Sequence, residues 1–113
     1  MKPEVSIVIP AYNESERLGG TLAAILEFIS TTGLNAELVI VDDGSTDNTA
    51  NVAENVFAAT PNIAATVIRY EENRGKGFAV KTGLLAAKAD IALFTDADLG
   101  NVKAGRAYPK RSF

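Results

Sequence analysis

Two aspartates, Asp96 and Asp98, stand one residue apart where the apolar run of residues 91–95 ends. If that run is a strand, side chains two positions apart point to the same side, so the two carboxylates converge. Paired carboxylates favour a hard divalent cation, which prefers oxygen ligands, although the pair could also be solvated loop aspartates. The sequence contains no histidine and no cysteine. This argues against zinc and leaves Asp, Glu, Lys or Tyr as any general base.

Three further polar segments follow apolar runs. Tyr12 and Glu14 could stack on and hydrogen-bond to a nucleoside, or could simply form a turn before a helix. The adjacent acids Asp42 and Asp43 could bond to a base or ribose, although Asp-Gly is also an ordinary turn signal. In residues 72–77, glycines and basic side chains could approach phosphates, or could form a surface turn.

The apolar runs predict four strands, at residues 5–9, 37–41, 64–70 and 91–95, with helices between them at about residues 13–32, 47–59 and 77–89. Strands that alternate with helices imply βαβ crossovers and a parallel sheet, an α/β fold. A reversal of winding after the third strand gives the order 3-2-1-4, with the third strand at an edge. All four polar segments then meet at the carboxyl ends of the strands, near the crevice between strands one and four, where such sheets bind ligands.

Local signals predict where these elements begin and end. Pro10 cannot donate to a ladder and is predicted to end the first strand. Asn13 is predicted to cap the first helix, and Ser45 or Thr46 the second. Gly33 is predicted to be the C-cap of the first helix.

The length of 113 residues allows one domain, and a content of 47% apolar residues is typical of a globular chain. No apolar run reaches about 18 residues and the N-terminus does not resemble a signal peptide, so we expect a cytoplasmic protein, at most peripheral to a membrane. All 14 acidic residues lie at or before Asp98, and only basic charges follow it. We therefore predict a domain at residues 1–98 and an irregular, basic tail at residues 99–113.

Four segments, in order and at compatible spacings, resemble the family 2 glycosyltransferases of the GT-A fold, and within them the polyprenyl- and dolichyl-phosphate sugar transferases. They are VSIVIPAYNE (residues 5–14), LVIVDDGSTDNT (residues 38–49), ENRGKGFAVKTGL (residues 72–84) and FTDADL (residues 94–99). The resemblance implies a UDP- or GDP-linked nucleotide-diphospho-sugar donor and no nucleic-acid partner. It also implies transfer of the sugar, with inversion, to an acceptor such as a polyprenyl phosphate.

The resemblance also implies roles for single residues. Asp96 and Asp98 correspond to the D-x-D pair that holds Mg or Mn and the diphosphate. Asp42 corresponds to the residue that contacts the base or ribose. The predicted nucleotide-binding set is Pro10, Tyr12, Glu14, Asp42, Asp43, Lys76 and Asp96.

The chain departs from the family pattern after Asp98. Members of the family continue well beyond this point with acceptor-binding elements and often a catalytic carboxylate, whereas no acid follows Asp98 here. We therefore predict a truncated donor-binding part that is incomplete and inactive by itself.

Other functional classes fit the sequence less well. One alternative is a non-catalytic module that forms homo-oligomers through its exposed sheet edge. Another is a nucleotidyltransferase, which would need a glycine-rich basic loop that residues 11–15 do not offer. The absence of G-x-G-x-x-G after the first strand and of a Walker lysine motif disfavours a dinucleotide oxidoreductase and a P-loop NTPase.

Overall fold

The structure is a computed structural model, which describes residues 2–95 and 108–109. Asp96 and Asp98 therefore lie outside the described residues. The strands are β1 (Val5–Ala11), β2 (Ala36–Asp43), β3 (Ala64–Tyr70), β4 (Ile91–Phe94) and β5 (Tyr108–Pro109). The helices are α1 (Leu18–Thr32), α2 (Thr49–Ala58) and α3 (Lys76–Ala86).

The described strands form one sheet in the order β3-β2-β1-β4-β5, and the first four are parallel. The predicted order 3-2-1-4 and the edge position of β3 are thus confirmed. β5 pairs with β4 in the antiparallel direction. The sequence predicts an irregular tail at residues 99–113, whereas Tyr108 and Pro109 form a strand. This strand is defined by its pairing with β4 and not by a periodic pattern in the sequence.

β1 and β2 form the centre of the sheet, and every residue in both is buried, as predicted for strands that are covered on both faces. α1 and α2 cover one face, where Leu22 packs in a cluster with Ile9. α3 covers the opposite face, where Ala79 packs in a cluster with Val8 and Val41. The change of face after β3 is the predicted reversal of winding, and it places the topological switch between β1 and β4.

Pro10 does not end β1, because the strand continues through it to Ala11, and this prediction is wrong. The Val8 carbonyl accepts a hydrogen bond from the Thr95 N–H at 3.1 Å, so the backbone groups of Val8 point toward β4. Alternate residues of a strand point their N–H and C=O groups toward the same neighbouring strand. Pro10 shares that direction, and β4 ends at Phe94, opposite Val8. The described part of β4 therefore needs no N–H at Pro10, and the missing donor is tolerated.

The first helix begins later than the sequence predicts. α1 starts at Leu18, whereas Asn13 lies in the preceding loop with a positive φ of 52° and does not cap the helix. Asn13 is instead bonded to another loop, as described below. The C-terminus agrees with the prediction, since Gly33 is a left-handed C-cap with a φ of 70°.

The second helix starts at Thr49, so the prediction of a cap at Ser45 or Thr46 is also wrong. Both residues are bonded to the loop after β1 instead. α3 ends at Ala86, short of the predicted residue 89. Among the helices of the described residues, none has the length and apolar character to cross a membrane.

Candidate functional site

The loop of residues 12–17 joins β1 to α1 at the carboxyl edge of the sheet. Tyr12, at its start, is 45% exposed. The Glu14 backbone N–H donates to Thr49 Oγ1 at 2.9 Å, and the Glu14 carboxylate pairs with Arg17 at 3.4 Å. Tyr12 therefore presents an aromatic ring to solvent, while both the backbone and the side chain of Glu14 are held in place.

The loop of residues 44–48, between β2 and α2, is bonded to the loop of residues 12–17. The Asn13 backbone N–H donates to Ser45 Oγ at 2.8 Å. In return, the Thr46 backbone N–H donates to Asn13 Oδ1 at 2.9 Å. The positive φ of Asn13 is compatible with this arrangement because asparagine tolerates the left-handed region. The residues predicted as helix caps therefore join the two loops to each other.

Asp47 joins the same two loops at a second point. Its carboxylate accepts hydrogen bonds from the Ser15 N–H at 3.3 Å, from the Thr49 N–H at 3.0 Å and from Thr49 Oγ1. Burial raises the pKa of Asp47, but the hydrogen bonds from Thr49 and Ser15 outweigh burial and hold the pKa below its ordinary value. Asp47 is therefore a carboxylate at neutral pH.

A cavity of about 320 Å³ opens where these two loops meet. Its lining residues are Asn13, Glu14, Ser15, Glu16, Arg17 and Asp47. Three carboxylates thus face one guanidinium, and this charge balance disfavours a phosphate group inside the cavity. Any anionic part of a ligand is better accommodated elsewhere along the edge of the sheet.

Asp42 and Asp43 end β2 and, as neighbours in a strand, point to opposite faces of the sheet. Asp42 is only 1% exposed and lies opposite Ala11 in the register of β1 and β2. Its Oδ1 accepts a hydrogen bond from the Ser45 N–H at 3.0 Å. Asp42 therefore lies beside the end of β1, where the loop of residues 12–17 departs.

Asp43 is bonded to the loop of residues 71–75, between β3 and α3. Its Oδ1 accepts a hydrogen bond from the Arg74 N–H at 2.8 Å. Its Oδ2 accepts hydrogen bonds from Asn73 Nδ2 at 3.0 Å and from the Gly75 N–H at 3.1 Å. Asn73 Nδ2 also donates to the Asp43 backbone carbonyl at 3.1 Å. The side chain of Asp43 thus holds three consecutive residues of this loop.

Gly44 permits the close approach of the loop of residues 71–75 to the end of β2. Its φ is 74°, in the region that favours glycine. A β-carbon at this position would lie 2.5 Å from the Glu72 carbonyl carbon and closer still to the Asn73 backbone nitrogen. The backbone of the loop therefore occupies the space that any side chain at residue 44 would need.

A cationic and aromatic cluster marks the start of α3. The Arg74 guanidinium lies 5.3 Å from the centroid of the Phe78 ring, and Phe78 packs edge to face with Tyr70, with 5.4 Å between ring centroids. Burial and the neighbouring Asp43 carboxylate raise the pKa of Tyr70, so its phenol stays neutral. Lys76, the first residue of α3, is exposed next to this cluster.

The structure brings the described residues of the predicted set to one edge of the sheet, in two groups. The first group, where β1 and β2 end, contains Pro10, Tyr12, Glu14 and Asp42. Asp43 and Lys76 lie on the side of α3. Within residues 2–95 and 108–109, no group of three or more acidic, histidine or cysteine side chains could hold a metal ion.

Sequence reasoning missed the residues that join the loops, namely Ser15, Asp47, Thr49 and Asn73. The available signal is the abundance of Ser, Thr, Asn and Asp after each strand, since these side chains readily bond to nearby backbone. Their partners, however, are 30 to 35 residues away in the chain. A pattern of neighbouring residues in the sequence does not reveal hydrogen-bond partners at that separation.

Known proteins and a family model match most of the chain. The family model described as Glycosyl transferase family 2 matches residues 6–100. A dolichyl-phosphate beta-glucosyltransferase of Dictyostelium discoideum is 34% identical over 99 residues, which are 83% of this chain and 30% of that protein.

Two solved structures show the same similarity. Mannosyltransferase PcManGT from Pyrobaculum calidifontis, in complex with GDP-Man and Mn2+, matches with a TM-score of 0.76 at 33% identity, over 87% of this chain and 28% of its own. S. aureus TarS 1-349, in complex with UDP-GlcNAc, matches with a TM-score of 0.71 at 30% identity, over 87% and 27% of the two chains. The chain thus spans 27–30% of the length of these three proteins.

Proposed function

Since the chain belongs to glycosyl transferase family 2, we propose that it carries the donor-binding part of a sugar transferase and binds a nucleotide-diphospho-sugar with a divalent metal. Its fold is that of the GT-A glycosyltransferases. The proposed donor is UDP- or GDP-linked. Two solved neighbours support this range, since one is in complex with GDP-Man and the other with UDP-GlcNAc.

The observation that carries the proposal is the joining of three loops at the carboxyl edge of the sheet, beside the switch between β1 and β4. Ligands of α/β sheets bind at such switch points. The loops of residues 12–17 and 44–48 are joined through Asn13, Ser45 and Asp47, and the loop of residues 71–75 is joined to β2 through Asp43. These hydrogen bonds order the loops before a ligand arrives, which lowers the entropic cost of binding.

We assign the nucleoside to the side where β1 and β2 end. The exposed ring of Tyr12 can stack on a base there. Asp42, at the end of β2, can accept hydrogen bonds from the base or the ribose. Pro10 and Glu14 complete this side of the pocket.

We assign the diphosphate to the side of α3, because Lys76 supplies positive charge there and the acidic cavity does not. Asp96 and Asp98 would hold Mg2+ or Mn2+, which offsets charge that grows on the departing diphosphate. The donor set of this chain fits such a hard cation, because it consists of oxygen ligands and contains neither histidine nor cysteine. Mn2+ in the mannosyltransferase neighbour supports a divalent metal.

For a whole transferase that contains such a donor-binding part, the proposed reaction is a single displacement at the anomeric carbon. An acceptor oxygen, as in a polyprenyl phosphate, forms the new bond from the face opposite the leaving group. The bond from the anomeric carbon to the donor phosphate oxygen breaks, and the nucleoside diphosphate leaves with inversion. A phosphate acceptor is already ionised and needs little help from a base. Because the chain spans about 30% of the length of its relatives, we propose that it binds nucleotide weakly and does not turn over.

Calorimetric titration of the 113-residue chain with UDP and with GDP, each with and without Mn2+, tests this proposal. We expect one nucleotide to bind, Mn2+ to strengthen its binding, and Asp96→Asn or Asp98→Asn to remove the effect of Mn2+. Glu54→Gln makes the same charge change at an exposed position of α2 and should behave like the wild type.

Three results, from this titration, from a measurement of molecular mass and from an assay of sugar transfer, would contradict parts of the proposal. The absence of heat with both nucleotides, on a folded sample, contradicts nucleotide binding. A mass that rises with concentration, without any nucleotide response, favours the self-associating module instead. Sugar transfer by this chain contradicts the proposed lack of turnover.

A further inference from the structure

We propose that the outer face of α3 is a docking surface for a membrane that contains anionic phospholipids. We call this surface the α3 stripe and define it by five exposed residues, Arg74, Phe78, Lys81, Leu85 and Lys88. This docking surface goes beyond the proposed function, because it does not depend on nucleotide binding. Its support is the direction, the exposure and the charge of the five side chains.

Phe78, Lys81 and Leu85 lie on the side of α3 that faces away from the sheet. At about 100° per residue, these three side chains fall within about 60° of the helix circumference, and Phe78 and Leu85 are about 10 Å apart along the axis. Gly83 faces the other way, since a β-carbon there would lie 3.1 Å from Val41 Cγ2 and closer still to a side-chain carbon of β1. The inner side of α3 is therefore used for packing on the sheet, and the α3 stripe is its outer side.

Two large apolar side chains of the α3 stripe are exposed to solvent. Phe78 is 44% and Leu85 is 59% exposed, and neither belongs to the apolar cluster beneath α3. The Arg74 guanidinium lies 5.3 Å from the centroid of the Phe78 ring, so a cation accompanies this aromatic ring. Exposed apolar side chains with basic neighbours are the composition with which surface helices bind the headgroup region of a membrane.

The segment that carries the α3 stripe is basic throughout. Residues 73–89 contain four basic residues and no acidic residue. The flanking acids lie at residues 71–72, in the preceding loop, and at Asp90, which pairs with Lys2 at 2.6 Å. Clusters of about four to eight Lys and Arg residues are attracted to the negative surface of anionic lipids. The charge of this segment therefore complements such a surface.

The helices on the other face of the sheet carry the opposite charge. Glu27 is the only charged residue of α1, and Glu54 is the only one of α2, whereas α3 contains Lys76 and Lys81 and no acid. A negative membrane surface therefore attracts the α3 face and repels the other face, which selects one orientation of the protein.

The same properties disfavour two other occupants of the α3 stripe. A second copy of the chain, bound through the same stripe, would bring like charges together. A nucleic acid would pair its phosphates with the basic side chains but would leave Phe78 and Leu85 without an apolar partner. An anionic bilayer offers both negative headgroups and an apolar layer beneath them.

The end of α3 is fixed to the sheet, so the α3 stripe is presented in one position. The Lys88 N–H donates to the Glu37 carboxylate at 3.3 Å, and the Ala89 N–H donates to Ser6 Oγ at 3.1 Å. Glu37 and Ser6 are buried residues of β2 and β1. The stripe can therefore contact a flat surface without a change in the fold.

Co-sedimentation of the full chain with vesicles tests the role of charge. We expect binding to vesicles of phosphatidylcholine mixed with phosphatidylglycerol and far weaker binding to phosphatidylcholine alone. An increase in salt from about 0.1 M to about 1 M should weaken the binding, because the Debye length falls from about 10 Å to about 3 Å. Lys81→Glu should weaken it by roughly tenfold or more, since each basic side chain near the surface contributes about fivefold.

Arg69→Glu is the matched control for Lys81→Glu, because it makes the same charge change at another exposed position. Val67 of β3 packs in the cluster beneath α1 and α2, and Arg69, two residues later in the strand, points to that same face. We therefore expect Arg69→Glu to change vesicle binding by less than about twofold, since it lies away from the docked face.

A tryptophan reporter tests which face contacts the membrane, since the chain has no tryptophan of its own. In Phe78→Trp, binding to the mixed vesicles should shift the emission to the blue, and brominated lipids should quench it. Phe28→Trp, at a 49% exposed position of α1, should show neither effect. Leu85→Ala should weaken vesicle binding by roughly threefold to tenfold, because the membrane buries less apolar surface, and Phe28→Ala should not.

Four results would overturn the proposal, with circular dichroism showing that each variant is folded. The wild type does not bind the mixed vesicles, or it binds phosphatidylcholine alone equally well. Lys81→Glu and Arg69→Glu weaken binding equally, or lipids quench Phe28→Trp as strongly as Phe78→Trp. A dimer that forms without vesicles and is lost in Leu85→Ala would assign the α3 stripe to a second copy instead. None of these measurements involves a nucleotide, so they decide the proposal even if donor binding fails.

Discussion

Replacement of Gly44 by alanine should destabilise the protein through a contact between two loops. A β-carbon at residue 44 would lie 2.5 Å from the Glu72 carbonyl carbon, whereas ordinary contacts between such atoms begin at 3.4 Å. The loop backbone would therefore have to move by about 1 Å to restore normal van der Waals separation. Such a shift would pull the Arg74 and Gly75 N–H groups away from the Asp43 carboxylate.

The size of the effect can be worked from two contributions. Overpacking of a well-packed site costs about 1–3 kcal/mol. An alanine at the positive φ of Gly44 costs a further 1–2 kcal/mol or so. A single shift of the loop would relieve part of both costs, so they do not add in full. We therefore expect the free energy of unfolding of Gly44→Ala to be lower than that of the wild type by about 2–4 kcal/mol. This is a large share of the stability of a domain of this size.

Urea unfolding followed by circular dichroism measures this difference, and Gly20→Ala provides the control. Gly20 is exposed on α1 and has no atom within 4 Å of its would-be β-carbon. Alanine in a helix interior stabilises by about 0.5–1 kcal/mol relative to glycine, so the two substitutions should have opposite signs. A Gly44→Ala variant as stable as the wild type would refute the reasoning that the loop backbone occupies this space.

Two further predictions concern the bonds between the loops of residues 12–17 and 44–48. Since hydrogen bonds hold the pKa of Asp47 below its ordinary value, its charge stabilises the fold above the unfolded-state pKa near 3.8, and this contribution is lost as the pH falls through the lower folded-state pKa. Asp47→Asn should therefore lower the free energy of unfolding at pH 7. The difference in this free energy between the variant and the wild type should become smaller below about pH 3.8. An equal difference at pH 7 and pH 3 would contradict this prediction. Thr49→Val should cost about 1–3 kcal/mol in urea unfolding, because it leaves the Glu14 N–H without its acceptor, and Thr49→Ser should recover most of the loss. Thr66→Val, at an exposed position of β3, should change stability by less than about 0.5 kcal/mol, and an equal loss there would contradict the assignment to Thr49.

The sheet order could be predicted because it depends on local signals that agree with each other. Short apolar runs such as those of β1 and β2 are typical of strands covered on both faces. The segments between the strands are long enough for a helical crossover and have apolar residues at helical spacing. The edge position of β3 was visible in its more polar sequence. The expected place of the candidate site, at the carboxyl ends of the strands, is a prediction from topology alone.

The details of the site could not be predicted, because they depend on partners far away in the chain. Asn13 has the side chain of a helix cap, but its oxygen accepts a hydrogen bond from Thr46 instead. Pro10 has the properties of a strand end, but the neighbouring β4 is short enough to tolerate its missing N–H. Asp43 could be predicted as a candidate ligand from the sequence, but its hydrogen bonds to residues 73–75 could not.

The bonds between the loops of residues 12–17 and 44–48 have a consequence for protein engineering. Each loop depends on the other for part of its conformation, because Asn13 is held by Ser45 and Thr46, and Ser15 by Asp47. A chimera that takes only one loop from a relative would combine donors and acceptors that were not selected together. We expect a transplanted specificity to require both loops as one unit, and a single-loop exchange to lose stability before it changes nucleotide preference.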